Sequence, residues 1–320
     1  MKRTVPGLTW SRQSKTFVDC LHAVLEAAGL WSEPKYMLSG KTGMAFKFCV
    51  HQELLPLSVT AYGEWVQEHQ PAAENIGIAS AIYAGHTRHH TFPLYREAVM
   101  REMKASINRG VGVIFWEPEF CVIYGYDDDD QVFFYSDGRS GEEKIKLYDN
   151  FGLNFTPYWY AHLILGKVER DPLDVVLQSL RTAVREWETP YKTPPNTDIG
   201  SGQLAYRYWI TALEKGGFHS FGASYILSSA AQSKRELHAY FREAAPLVSA
   251  LTYIVPLYGE LDALYQDLVA HHSKNPTKQA MALKEASAME EQAMQCIRAV
   301  LAEHPAADRP MPRWGSAPPR

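Results

Sequence analysis

From Lys15 to Trp31 the stretch "KTFVDCLHAVLEAAGLW" puts Phe17, Cys20, Leu21, Val24 and Leu25 on one face at helical spacing, with Gly29 as a stop. "MAFKFCV" alternates apolar and polar positions and predicts a strand, while "SVTAYGEWVQEH" and "LYREAVMREMKASINRG" return to a helical period, the second closing at Gly110. Beyond Val111 the period falls to two. "VGVIFW", "FCVIYGY", "QVFFYSD", "KIKLYDN" and "AHLILGKVE" follow one another with turn residues between them, as antiparallel strands do. Helices first and an antiparallel sheet afterwards predict an α+β domain over residues 1–168.

The texture changes at Asp171, an N-cap residue followed by Pro172 at the first helical position of "DPLDVVLQSLRTAVREWE". A breaker-rich loop, "TPYKTPPNTDIGSG", precedes four more long helical patterns. Residues 169–304 therefore predict an all-α bundle of roughly five helices. In "AYRYW", Tyr206, Trp209 and Ile210 have the i, i+3, i+4 spacing of a core face. The Pro-rich tail 305–320, "PAADRPMPRWGSAPPR", predicts disorder.

Composition narrows the function classes. With 320 residues the chain is long enough for two cores, 46% of it is hydrophobic, and the formal net charge is -4. No basic stripe argues for nucleic acid, and no apolar run reaches the roughly 18 residues of a membrane span. The start "MKRTVPGLTWSRQSK" lacks the apolar segment of an export signal. A cytoplasmic protein with free thiols is expected. Cys20, Cys49, Cys121 and Cys296 are scattered with no CxxC pair, so no metal and no cofactor are expected. The four aspartates 127–130 read as a solvated hairpin turn, because a calcium loop needs ligands at alternate positions and a closing glutamate.

The candidate chemistry lies in the order of features. Cys20 sits in the first amphipathic helix, and "LSGKTGMAFKF" links that helix to the next elements. Later an apolar strand ends in Gly-Tyr-Asp and a second strand ends in Asp137. The set resembles the papain-like fold, most closely the family of butirosin biosynthesis protein H, over residues 15–165. It continues into the helical half, where "GQLAYRYWITALE" is similar to a stretch of that family's C-terminal domain. The resemblance implies acyl-group chemistry at a cysteine: acyl transfer from a carrier protein to an amine, or amide hydrolysis. It puts Cys20 at the nucleophile position and Asp137 at the position of the residue that orients the histidine. Gln13 is comparable with an oxyanion-hole glutamine. The histidine position falls on Glu119.

That replacement works against thiol catalysis. A thiol must ionise to attack, and a carboxylate beside it raises its pKa instead of lowering it. No histidine lies between Val111 and Tyr158; His86, His89 and His90 of "GHTRHH", which read as a loop, are the ones that could swing in. Three roles stay open: a remodelled cysteine-centred acyltransferase or amidohydrolase; an inactive papain-like protein binding a small molecule or peptide in its cleft; and a structural partner, with homo-oligomerisation through the bundle. Without the resemblance, Cys20 is a core thiol, Glu119 a strand-edge carboxylate and Asp137 a turn-forming residue.

Overall fold

The computed structural model describes residues 2–13, 15–141, 143–271 and 274–305; most of the 305–320 tail lies outside them. In chain order the elements are β1 (Lys2–Thr4), α1 (Thr16–Ala27), α2 (Lys35–Lys41), β2 (Cys49–His51), α3 (Trp65–Asn75), β3 (Ile78–His86), α4 (Phe92–Asn108), β4 (Val113–Glu117), β5 (Glu119–Asp127), β6 (Val132–Ser136), β7 (Lys144–Leu147) and β8 (Tyr158–Lys167). The second half follows with α5 (Pro172–Glu188), β9 (Ile199–Ser201), α6 (Gln203–Lys215), α7 (Ser220–Ala244), α8 (Ile254–His271) and α9 (Pro276–Glu303).

Seven strands form an antiparallel sheet in the order β3-β8-β4-β5-β6-β7, with β1 paired to the far end of β5. The central strands are apolar almost throughout because both their faces are covered. Ile114, Trp116, Phe120, Val122 and Tyr160 point to the side of α1, where Phe17, Cys20, Leu21 and Val24 complete a core. Val113, Phe115, Cys121, Ile123 and Phe133 point to the other side, against Val99, Met103 and Ile107 of α4. Phe120 and Cys121 thus serve opposite faces, as period-two geometry requires. The aspartate run is the exposed β5–β6 turn.

Three local expectations change. Met44–Phe46 of "MAFKFCV" is a 3-10 turn, and only Cys49–His51 is strand. In "SVTAYGEWVQEH" the helix starts at Trp65, because Gly63 sits at φ 126, a conformation that interrupts a helix. The breaker-rich loop before α6 contributes β9, which pairs antiparallel with β2. Asp171 caps α5 as its sequence indicates, accepting the Asp174 backbone N–H at 3.0 Å.

The helical half is an α5–α9 assembly around Tyr206, Trp209, Leu237, Tyr240, Phe241, Tyr258 and Leu283. Its core also takes in Ala45, Phe46, Val50, Leu54 and Val59 from the first half. The two halves therefore share a core. Gly40 of α2 lies against the ring of Tyr240 so closely that a Cβ would sit 2.2 Å from it. Among the described residues no helix is long and apolar enough to cross a membrane.

Candidate functional site

Helix α1 starts at Thr16 and aims its first turn at the start of β5. The side chain that meets Glu119 there is Thr16, not Cys20. Thr16 Oγ1 donates to Glu119 Oε2 at 2.8 Å and accepts the Phe120 backbone N–H at 3.3 Å. Tyr225 of α7 donates to Glu119 Oε1 at 2.8 Å. One carboxylate therefore ties the sheet to α1 and to the bundle. Negative charge at a helix N-terminus is favourable, which suits Glu119 to this place. Burial and the Glu119 charge hold the Tyr225 hydroxyl protonated by raising its pKa.

Cys20 lies one turn further along α1, where the helix faces the sheet, and is 0% exposed. Burial, followed by the neighbouring Cys121 and Asp19, pushes its thiol well above the usual range. The structure brings it to no open surface. Cys121 is equally enclosed; burial lifts its pKa to about 12 despite Arg12 Nη2 at 3.9 Å. Cys49 is pushed up to about 11 by burial. Cys296 is partly exposed.

Asp137 closes its own turn. Its Oδ1 accepts the N–H groups of Arg139 and Ser140 at 2.9 and 3.2 Å, and its Oδ2 meets the Lys144 ammonium. Burial opposes ionisation, but Lys144 and the two N–H groups outweigh it and hold the carboxyl well below the usual range. These contacts engage neither Cys20 nor Glu119. Gln13 is exposed; its backbone N–H donates to Asp19 Oδ2 at 2.9 Å and its side-chain amide to Ser11 at 3.3 Å. His86, His89 and His90 lie exposed at the end of β3 and after it. Among the described residues no three His, Cys, Asp or Glu side chains come together as a metal site.

Sequence reasoning passed over two buried polar systems. In the first, His69 of α3 bonds Tyr62 at 2.7 Å and Tyr160 at 2.8 Å, and Tyr160 reaches His162 at 3.2 Å. Burial drives both imidazoles toward the neutral form, His162 to about 3. Phe17 stacks on His69 with 3.4 Å between ring centroids. The second system is ionic, and its Lys35, Lys47 and Lys192 pairs stitch the halves together. Lys47 and Lys192 bond Glu68 and Glu186, Lys35 bridges Asp19 and Glu236, and Lys234 pairs with Glu290. Neither carries a local motif, because each needs partners from distant parts of the sequence, such as His69 with Tyr160 and Lys47 with Glu186.

An open groove of about 580 Å3 runs between Gln52–Glu53 of the first half and α6 with residues 216–218 of the second. Leu204, Tyr208, Ala212 and Phe218 give it an apolar floor, and Arg207, Thr211 and Lys215 follow one helical face along it. Its size falls in the range of small-ligand sites, about 300–1,000 Å3.

No family model matches the chain, and no curated protein matches it either.

Proposed function

We propose that this chain is a non-catalytic protein of papain-like architecture, related to the butirosin biosynthesis protein H family. On this reading it binds a small molecule or short peptide in the groove between its halves. The observation that carries the proposal is the exchange at the start of α1. The place where a nucleophile would meet its base holds a Thr16–Glu119–Tyr225 hydrogen-bonded latch, and the nearest cysteine is sealed in the core. A buried thiol with a raised pKa is a poor nucleophile, and among the described residues no imidazole hydrogen-bonds to Cys20.

The groove supports the binding half of the proposal. Its lining presents the cations Arg207 and Lys215 on one side and the carboxylate of Glu53 on the other, above an apolar floor. That pattern suits a zwitterion with an apolar group, such as a short peptide whose carboxylate meets the cations and whose amine meets Glu53. The cysteine-centred acyltransferase or amidohydrolase becomes the competing reading.

The deciding experiment is iodoacetamide labelling of the folded protein across pH 5–10, with each cysteine read by peptide mass spectrometry. Cys296 should react first, while Cys20, Cys49 and Cys121 stay protected until denaturant is added. Rapid labelling of Cys20 below pH 7 would overturn the proposal in favour of the enzyme. The groove is tested by NMR titration with the dipeptide Phe-Gly. Shifts around α6 that vanish in Arg207→Glu/Lys215→Glu support it, and shifts elsewhere or none refute it.

A further inference from the structure

Within the shared core lies a small chamber of about 20 Å3, room for a single water-sized body. Three lysines line it: Lys15 preceding α1, Lys47 after the 3-10 turn, and Lys234 of α7. The rest of its wall includes Ser58, Tyr62, Ser229 and Ser233. Ile226, Ser229, Ala230 and Ser233 recur at i, i+3, i+4 and i+7, so α7 turns one face to the chamber, and the small side chains on it leave the room.

The hydrogen-bond inventory of this wall is lopsided. A lysine ammonium has three N–H donors. Lys15, only 7% exposed, spends one of them on Ser233 Oγ at 3.1 Å. Lys47 gives two to Glu68 and Glu186, and Lys234 gives one to Glu290. Lys47 also stands 5.7 Å from the Tyr62 ring centroid and Lys234 5.6 and 5.9 Å from those of Phe48 and Tyr265, contacts that leave N–H donors without an oxygen acceptor. The wall offers few acceptors in return. The Ser58 hydroxyl is taken by Leu55 O and the His51 N–H, and the Tyr62 hydroxyl by His69. Buried ammonium donors without acceptors are costly, so the chamber has to hold an acceptor. A water would bring two further hydrogens, for which the wall offers only the Ser229 and Ser233 hydroxyls. An anion brings lone pairs alone.

We infer that this chamber is a binding site for one chloride-sized monovalent anion, held by Lys15 with Lys47 and Lys234. Its ligands come from both halves of the chain, so the anion clamps the papain-like half to the bundle. The inference is independent of what the groove binds.

The test follows the urea unfolding midpoint of the full chain in sodium chloride against sodium gluconate, matched in ionic strength. Gluconate is too large to enter the chamber. A midpoint that rises with chloride and saturates, is reproduced by bromide and is absent in gluconate is the expected result. In Lys15→Met the chloride-specific shift should disappear. Equal midpoints in the two salts would overturn the inference and leave a water there, as would a chloride shift that persists in Lys15→Met. Should Lys15→Met not fold, crystals of the wild-type protein grown in bromide decide by anomalous scattering. A peak between Lys15 and Lys234 supports the site, and no peak there removes it.

Discussion

The hydroxyl of Thr16 donates to the Glu119 carboxylate at 2.8 Å, joining the first turn of α1 to the first residue of β5. With Tyr225 on the second carboxylate oxygen, this contact makes Glu119 a structural anchor. Glu119→Ala strips both hydroxyls of a charged acceptor. It should cost about 1.5–3 kcal/mol for each hydrogen bond to a charged group, read as a lower urea midpoint with unchanged slope. Tyr225→Phe should lose part of that, and the double variant should cost less than the sum of the single ones. An unchanged midpoint in Glu119→Ala would show that the latch holds nothing.

Cys20 should behave as packing. Cys20→Ala is expected to cost about 1 kcal/mol, the value of a small truncation in a core that cannot fully relax. Cys20→Ser should be worse, because it places a hydroxyl where burial leaves it dependent on a new partner, at about 1–3 kcal/mol. Chemical denaturation of both variants checks the order; a serine variant as stable as wild type would contradict it.

Stability should fall with acid before the carboxylates titrate. His69 and His162 are neutral in the fold, with pKa values depressed by burial, His162 to about 3. Unfolded imidazoles take up protons near pH 6.5 and folded ones do not, so protons favour the unfolded chain below that pH. The loss should begin near pH 6.5, approach about 1.4 kcal/mol per pH unit for each histidine, and for His162 run down to about pH 3. Urea midpoints measured between pH 7.5 and 5 would show it. A flat profile over that range would contradict the neutral assignment. Glu186, whose pKa is lowered by Lys47 and Lys192 against the cost of burial, adds its own loss only below about pH 4.5.

The ionic stitches differ sharply in expected weight. Glu186 is 1% exposed and faces Lys47 and Lys192 at 3.0 and 2.8 Å. Glu186→Leu leaves two buried ammonium groups sharing the single Glu68 carboxylate, and the uncompensated charge should cost about 3–5 kcal/mol. Arg298 reaches Glu188 and Glu291 at 2.9 and 3.0 Å on a partly exposed surface, and Arg298→Ala should cost about 0–1 kcal/mol. Thermal unfolding of the two variants side by side distinguishes them.

Much of the architecture was legible because it is written in short-range periodicity. The step from a period near 3.6 to a period of two at Val111 marks the sheet, and Asp171–Pro172 marks the start of α5 with its cap. The opposite faces of Phe120 and Cys121, and the burial of Tyr206 and Trp209, follow from spacing alone. Strand β3, "IASAIYAGH", escaped because Ala, Ser and Gly dominate it and its alternation is weak; its pairing with β8 comes from the neighbour. Strand β9 escaped for a similar reason, being three residues whose strand state exists only against β2.

The sequence by itself determined the main helices, the run of antiparallel strands after Val111 and the helical second half, since local pattern and caps dictate these. Only the tertiary structure decided which side chain faces Glu119. Helix α1 turns by about 100° per residue, so residues four apart share a face but not a position along it. Thr16, at the helix start, reaches the start of β5, whereas Cys20, a turn deeper, lies over the sheet among Phe17, Leu21 and Val24. The Tyr62–His69–Tyr160–His162 chain and the lysine chamber are likewise tertiary creations. His69 of α3 and Tyr160 of β8 meet only when the helix packs on the sheet, and Lys15, Lys47 and Lys234 come together only once the halves have closed.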